Sequence, residues 1–185
     1  KKKLKKPWKT INKNHIITMP NKLWEFDIKY GFIHGENRFF FILSFVDVFS
    51  RKVVGNYVGS SCKAGDLTFT LNKAIISEEL SAEHDLIIRS DNGSQMSSIV
   101  FYEYLEKLER KLIHEFIPPS TPNKNAHVES FFSILELEFI QTHYFKTLVE
   151  AYEKTHKFIN FYNERRIHSA LKYKTPNEIM LDYKI

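Results

Sequence analysis

Between Leu23 and Val58, three runs of apolar, β-branched and aromatic residues follow one another with only short turns between them. Residues 23–30 (LWEFDIKY) read as a strand ending near Gly31. Residues 39–49 (FFFILSFVDVF) read as a long, almost wholly apolar strand, and 52–58 as a third beyond the Ser50–Arg51 turn. GENR at 35–38 supplies the first turn. Connections this short imply antiparallel pairing, because a parallel neighbour needs a crossover of a dozen residues or more.

After the meander the pattern changes. Residues 66–80 carry Leu67, Leu71, Ala74, Ile75 and Leu80 at helical spacing, and Leu86–Arg89 is a short buried strand running into Ser90, Asp91, Asn92 and Gly93. A second helix is expected over 97–111, a fifth strand over Leu112–Ile117, and a polar, proline-broken and mobile loop over 118–125. Helices follow from Ala126, with Val128, Phe131, Phe132, Leu135 and Phe139 inward, and over 148–162. Three strands followed by alternating helices and strands predict an α/β chain. Its mixed five-stranded sheet, with helices on both faces, has the element order of the ribonuclease-H-like fold.

The 185 residues suffice for one domain with a proper core. No run of 18 apolar residues is present to span a membrane, and the basic start is not followed by the apolar segment of a signal peptide. The single Cys62 excludes an intramolecular disulfide and a cysteine-based zinc cluster, and it reads as a small packing residue. A soluble cytoplasmic protein is expected. The formal charge of +5 is uneven, because residues 1–13 hold seven lysines and no acid, leaving 20 basic and 22 acidic residues elsewhere. Lys1, Lys2, Lys3, Lys5 and Lys6 therefore form an arm suited to phosphate backbones, or simply a solvated flank.

Three acids stand out by placement. Asp27 and Asp91 follow apolar strand runs, and Glu129 opens an amphipathic helix. Carboxylates from two strand ends and a helix start can converge on divalent metal. Two metal ions held about 3.5–4 Å apart can activate the attacking oxygen and stabilise the leaving oxygen in phosphodiester chemistry. Mg²⁺ suits such hard ligands and needs few of them. Asp27 is assigned as the ligand shared by both ions, with Asp91 and Glu129 each completing one site. Singly, each acid has a plainer reading: an edge-strand charge, an Asp-Asn-Gly turn residue and a solvated helix residue. Their joint placement favours the metal site. The chain has no GxSxG elbow, HExxH, GxGxxG or P-loop. Asp47 is expected to pair with Arg51 or cap the turn rather than reach the metals.

PNKLWEFDIKY, FFILSFVDVFSRKVVG, RSDNGSQ, NKNAHVESFFSILELE and FYNERRIHSALKYKTPNE together resemble the catalytic region of bacterial insertion-sequence transposases of the DDE, retroviral-integrase-like type. The resemblance covers residues 20–182 and implies a Mg²⁺-dependent polynucleotidyl transferase with its catalytic acids at Asp27, Asp91 and Glu129. Such enzymes nick DNA at element ends and use the freed 3′-hydroxyl on another strand, acting as homo-oligomers on paired ends and target. A bacterial, nucleoid-associated location follows. Residues 1–20 resemble the linker that trails a preceding DNA-binding region, and 21–185 the integrase-like core with a carboxy-terminal helical extension. The chain, which begins with Lys, is expected to be a piece of something longer.

Two departures from the family pattern stand out. Asp91 and Glu129 are 38 positions apart, slightly wider than is usual in the family. Glu136, two helical turns after Glu129, stands where relatives commonly carry a lysine, and an acid there would repel phosphate. Asn92 and Gly93 are expected to shape the turn presenting Asp91, and Asn125 to cap the helix bearing Glu129. Arg165, Arg166 and His168 are candidate DNA contacts beside Asn92 and Asn125, or else a solvated turn packing on the core. The alternatives are a nuclease of the same fold without strand joining, and a degenerate remnant that only binds DNA.

Overall fold

The computed structural model describes residues 8–10, 15–91, 93, 96, 98–117 and 125–183. Its strands are β1 (Trp8–Thr10), β2 (Leu23–Ile33), β3 (Arg38–Asp47), β4 (Val53–Gly59), β5 (Leu86–Ser90) and β6 (Leu112–Phe116). They form one sheet in the order β1-β6-β5-β2-β3-β4. β2–β3 and β3–β4 are antiparallel, while β2–β5, β5–β6 and β1–β6 are parallel. This is the expected mixed sheet of five strands, joined at its edge by a short sixth from the basic arm. The fold is ribonuclease-H-like.

The helices are α1 (Ala64–Ser77), α2 (Ile99–Lys107), α3 (Ala126–Leu135), α4 (Leu148–Glu164) and α5 (Pro176–Leu181). α2 is shorter than the expected 97–111, because Leu108 leaves helical geometry at ψ 108. α3 runs directly into a π-helical turn over Glu136–Ile140. α5 begins with a capping box, in which Thr175 and Glu178 each bond the other's backbone N–H, and has Pro176 at its first position.

Pleating divides the sheet into two unlike faces. On one, Trp24, Phe26, Leu43, Phe45, Leu86, Ile88 and Phe116 pack beneath Leu67, Leu71 and Ala74 of α1 and Phe101 and Leu105 of α2. Phe26 stacks on Phe45 at 4.7 Å between ring centres. Each such fully buried large side chain contributes on the order of 2 kcal/mol. On the other face, Ile33, Phe40, Ile42, Val46, Val53 and Val58 pack against Val128, Phe131 and Leu135 of α3 and Ile159 and Tyr162 of α4.

The β3–β4 turn is fixed by Asp47. Its carboxylate accepts from the backbone N–H and hydroxyl of Ser50, both at 2.7 Å, and from Asn21 N at 2.8 Å. Asp47 is fully buried. The carboxylate thus serves the turn, as its sequence position suggested, and the turn closes through Arg51 at φ 65°.

Candidate metal centre

Asp27 sits midway along β2, opposite Ser44 of β3. Alternation in WEFDIK places Trp24, Phe26 and Ile28 in the α1–α2 core and turns Glu25, Asp27 and Lys29 toward α3. Asp27 and Glu129 line one groove of about 530 Å³, with Lys29, Phe132, Ser133, Glu136 and Leu137. Asp91 follows the end of β5, the strand adjoining β2, and is exposed. Its carboxylate accepts from Gly93 N at 2.9 Å, an Asx-type turn.

The electrostatics couple the three. The Asp27 carboxyl is pushed up to about 6, first by burial and then by repulsion from Asp91 and Glu129. A backbone bond from Ile28 N at 2.7 Å and the Lys29 charge pull it back only in part. Burial raises Glu129 too, with a further push from Glu25. Ser44, opposite Asp27 on β3, is buried, and its hydroxyl finds no hydrogen-bond partner among the described residues. Among the described residues no three ligating side chains close into a tight metal cage. The arrangement is an open set of hard oxygen donors in which acids outnumber the one nearby lysine among the groove-lining residues. Those donors fit a divalent ion such as Mg²⁺, which keeps several of its waters.

Beneath this site lies a buried ionic network that sequence reasoning missed. Glu25 is 1% exposed, and its carboxylate accepts from His127 N at 2.8 Å and Val128 N at 3.2 Å. It also lies 2.9 Å from His127 Nδ1. Arg89, the register partner of Glu25 on β5, approaches it to 3.8 Å and holds Glu115 at 3.1 Å. His15 closes on Glu115 at 2.7 Å. Burial pushes the Glu25 carboxyl up to about 7, with the Val128 amide and Arg89 opposing. The available signal was an acid between Trp24 and Phe26, on the parity of Asp27.

The remaining candidates fare differently. Asn125 occupies the amino-terminal cap position of α3 and is buried, but its side chain makes no capping bond, and Glu25 takes the helix amides instead. Arg165 ends α4 and is exposed. Arg166 is bound through two nitrogens by Glu138, with contacts of 2.5–3.2 Å, and the pairing lowers Glu138. His168 packs edge-on to Tyr162 at 4.9 Å, and burial lowers it to about 4. Arg166 is thus held in a surface ion pair, while His168 lies half-buried against Tyr162. Lys1, Lys2, Lys3, Lys5, Lys6 and Asn92 lie outside the described residues. Glu136 is not a bare acid, because Lys29 Nζ meets it at 3.0 Å.

Two family models described as "Integrase core domain" match residues 17–122 and 110–176. The transposase for insertion sequence element IS904 from Lactococcus lactis subsp. lactis (strain IL1403) is 31% identical over 172 residues, which are 91% of this chain and 64% of the relative. The transposase for IS629 from Shigella sonnei is 25% identical over 168 residues, 91% of this chain and 54% of the relative. The chain spans little more than half to 64% of the length of these relatives. The HTLV-2 integrase catalytic core domain in complex with magnesium superposes with a TM-score of 0.64 at 18% identity, covering 88% of this chain and 97% of that one. A chain of the simian T-cell lymphotropic virus intasome in complex with the PP2A regulatory subunit B56 gamma gives 0.72 at 18% identity, covering 97% and 62%.

Proposed function

The chain belongs to the integrase core domain family, and from that membership we propose that it is the catalytic core of an insertion-sequence transposase. In this reading it cleaves DNA at element ends and transfers the freed 3′-hydroxyl to a target strand. The observation that carries the reading is the coupled charge of Asp27, Asp91 and Glu129, with Asp27 and Glu129 facing one groove. A binding remnant would have no need of a half-buried carboxylate that its neighbours compensate only in part. The relatives named as transposases support joining over hydrolysis alone.

Asp27, Asp91 and Glu129 would hold two Mg²⁺ ions, Asp27 serving both. Bound there, the metal supplies charge to stabilise the attacking and leaving oxygens of an in-line displacement. The chain's own part is positional. β2 and β5 present two carboxylates from a rigid sheet, and the first turn of α3 brings the third, near a helix end where an ionised acid is favoured. Lys29 lines the same groove with its charge held by Glu136. The basic arm adds sequence-independent DNA affinity, and assembly as a homo-oligomer on paired ends accounts for joining two of them. Among the described residues no helix is long and apolar enough to cross a membrane.

The test uses the full transposase that contains this core, with precut element ends and a target plasmid. Joined product that requires Mg²⁺ or Mn²⁺, and that disappears in Asp27→Asn, Asp91→Asn and Glu129→Gln, is the expected result. Hydrolysis without joining would overturn the strand-transfer claim in favour of a nuclease. Metal-independent DNA binding with no cleavage would favour the remnant.

A further inference from the structure

Each of the three acids is preceded by two residues by a member of the buried network: Glu25 before Asp27, Arg89 before Asp91 and His127 before Glu129. On the strands, an offset of two keeps the same face, one pleat deeper. On the helix it selects an amide of the first turn, one of the donors that an α-helix leaves without an internal partner.

We infer that Glu25, clamped by Arg89, is a positioning residue that sets the distance between Glu129 and the two aspartates. The geometry is specific. Glu25 Oε2 accepts from both His127 N and Val128 N, and Oε1 meets the His127 ring. One carboxylate therefore replaces the cap that Asn125 does not supply. Because Glu25 is rooted in β2 two residues from Asp27, any rotation of Glu25 moves the α3 start relative to Asp27. Arg89 prevents that rotation from β5, being the register partner of Glu25 and holding Glu115 with its other nitrogens. β2, β5 and α3 are thus cross-linked one layer below their acids.

The inference rests on the metal-binding reading of the three acids, and its test separates the two. Mn²⁺ affinity is measured on the chain by electron paramagnetic resonance, together with hydrogen exchange at the His127 and Val128 amides and thermal unfolding. Glu25→Ala is expected to weaken Mn²⁺ binding by roughly 10- to 100-fold, as loss of an outer-shell partner does, and to deprotect both amides. Glu25→Gln, which keeps an acceptor for those amides, is expected to restore most of both. Leu71→Ala, in α1 on the opposite face, supplies a comparably destabilised control whose Mn²⁺ affinity stays at the unmodified level. Unaltered affinity in Glu25→Ala, or an equal loss in Leu71→Ala, would overturn the inference. Failure of the unmodified chain to bind Mn²⁺ would count against the metal site. The amide exchange of Glu25→Ala would then still decide the clamp, since protected amides would refute it.

Discussion

Both faces of the central sheet carry an apolar core, but along β2 they are built to opposite ends. Trp24, Phe26 and Ile28 face α1 and α2 among aromatic and aliphatic neighbours, and the one titratable ring buried with them, His114, is forced to be neutral. Glu25, Asp27 and Lys29 alternate with those residues and face α3, where burial meets charge. A single pleat thus separates the apolar side chains of one core from a row of charged ones. Stability and chemistry should therefore be separable by substitution at adjacent positions.

The sharpest attempt to break that separation pairs Asp27→Asn with Phe26→Ala. Asp27→Asn removes the carboxyl that burial, Asp91 and Glu129 all push upward. Strand transfer should fall to background, while the melting temperature holds or rises. Phe26→Ala leaves the acids in place but empties the stack on Phe45 and the edge contact with Phe101. It should cost about 3–5 kcal/mol in urea unfolding. If Asp27→Asn unfolds the chain, the carboxylate is a structural member of the sheet and the division fails.

His114 tests the apolar face by pH. Its ring is fully buried, touches Ser90 Oγ at 3.0 Å, and is held down at about 3 by desolvation. A histidine lowered in the folded state binds its proton more readily when unfolded. Stability is therefore full above about pH 6.5 and is lost as pH falls toward 3. At pH 5 the His114 share of the loss should be about 2 kcal/mol, opposed by the raised carboxyls of Glu25 and Asp27. It is read as the difference in urea midpoints between the unmodified chain and His114→Phe at pH 7 and pH 5. His114→Phe should remove that loss, and an unchanged pH dependence would show that His114 does not carry the acid sensitivity.

What the sequence disclosed follows the same divide. The apolar face was legible because its strands alternate or run apolar over five or more residues, as in Trp24–Phe26–Ile28 and Leu43–Phe45. Asp91 after a strand and Glu129 at a helix start could be read for a similar reason, since each closes or opens a periodic pattern, whereas Asp27, expected at a strand end, lies midway along β2. β1 could not be read. Three residues pair with His114, Glu115 and Phe116 only because the folded sheet offers an open edge. Nor could the cap of α3, which comes from Glu25 about a hundred residues away. Asn125 has the residue type and the position of a cap, yet a carboxylate from the sheet already satisfies the amides. The π-helical turn at Glu136–Ile140 likewise has no composition signal.

The smallest expected effect concerns the rim of the groove, where the comparison can be sharpened rather than broken. Glu136 reads in isolation as a residue that repels DNA, but the structure spends its charge on Lys29, with both side chains about 30% exposed. A pair that open contributes between zero and about 1 kcal/mol to stability, so breaking it should leave the fold intact. Glu136→Gln would free Lys29, the cation among the groove-lining residues, for a phosphate. Nonspecific DNA binding should tighten by up to about tenfold at low salt, and the slope of log affinity against log salt should steepen by about one contact. Lys29→Gln should do the reverse by leaving Glu136 bare beside Asp27. If both variants bind DNA as the unmodified chain does, the DNA path avoids this rim, and the phosphate contacts must be sought on other elements.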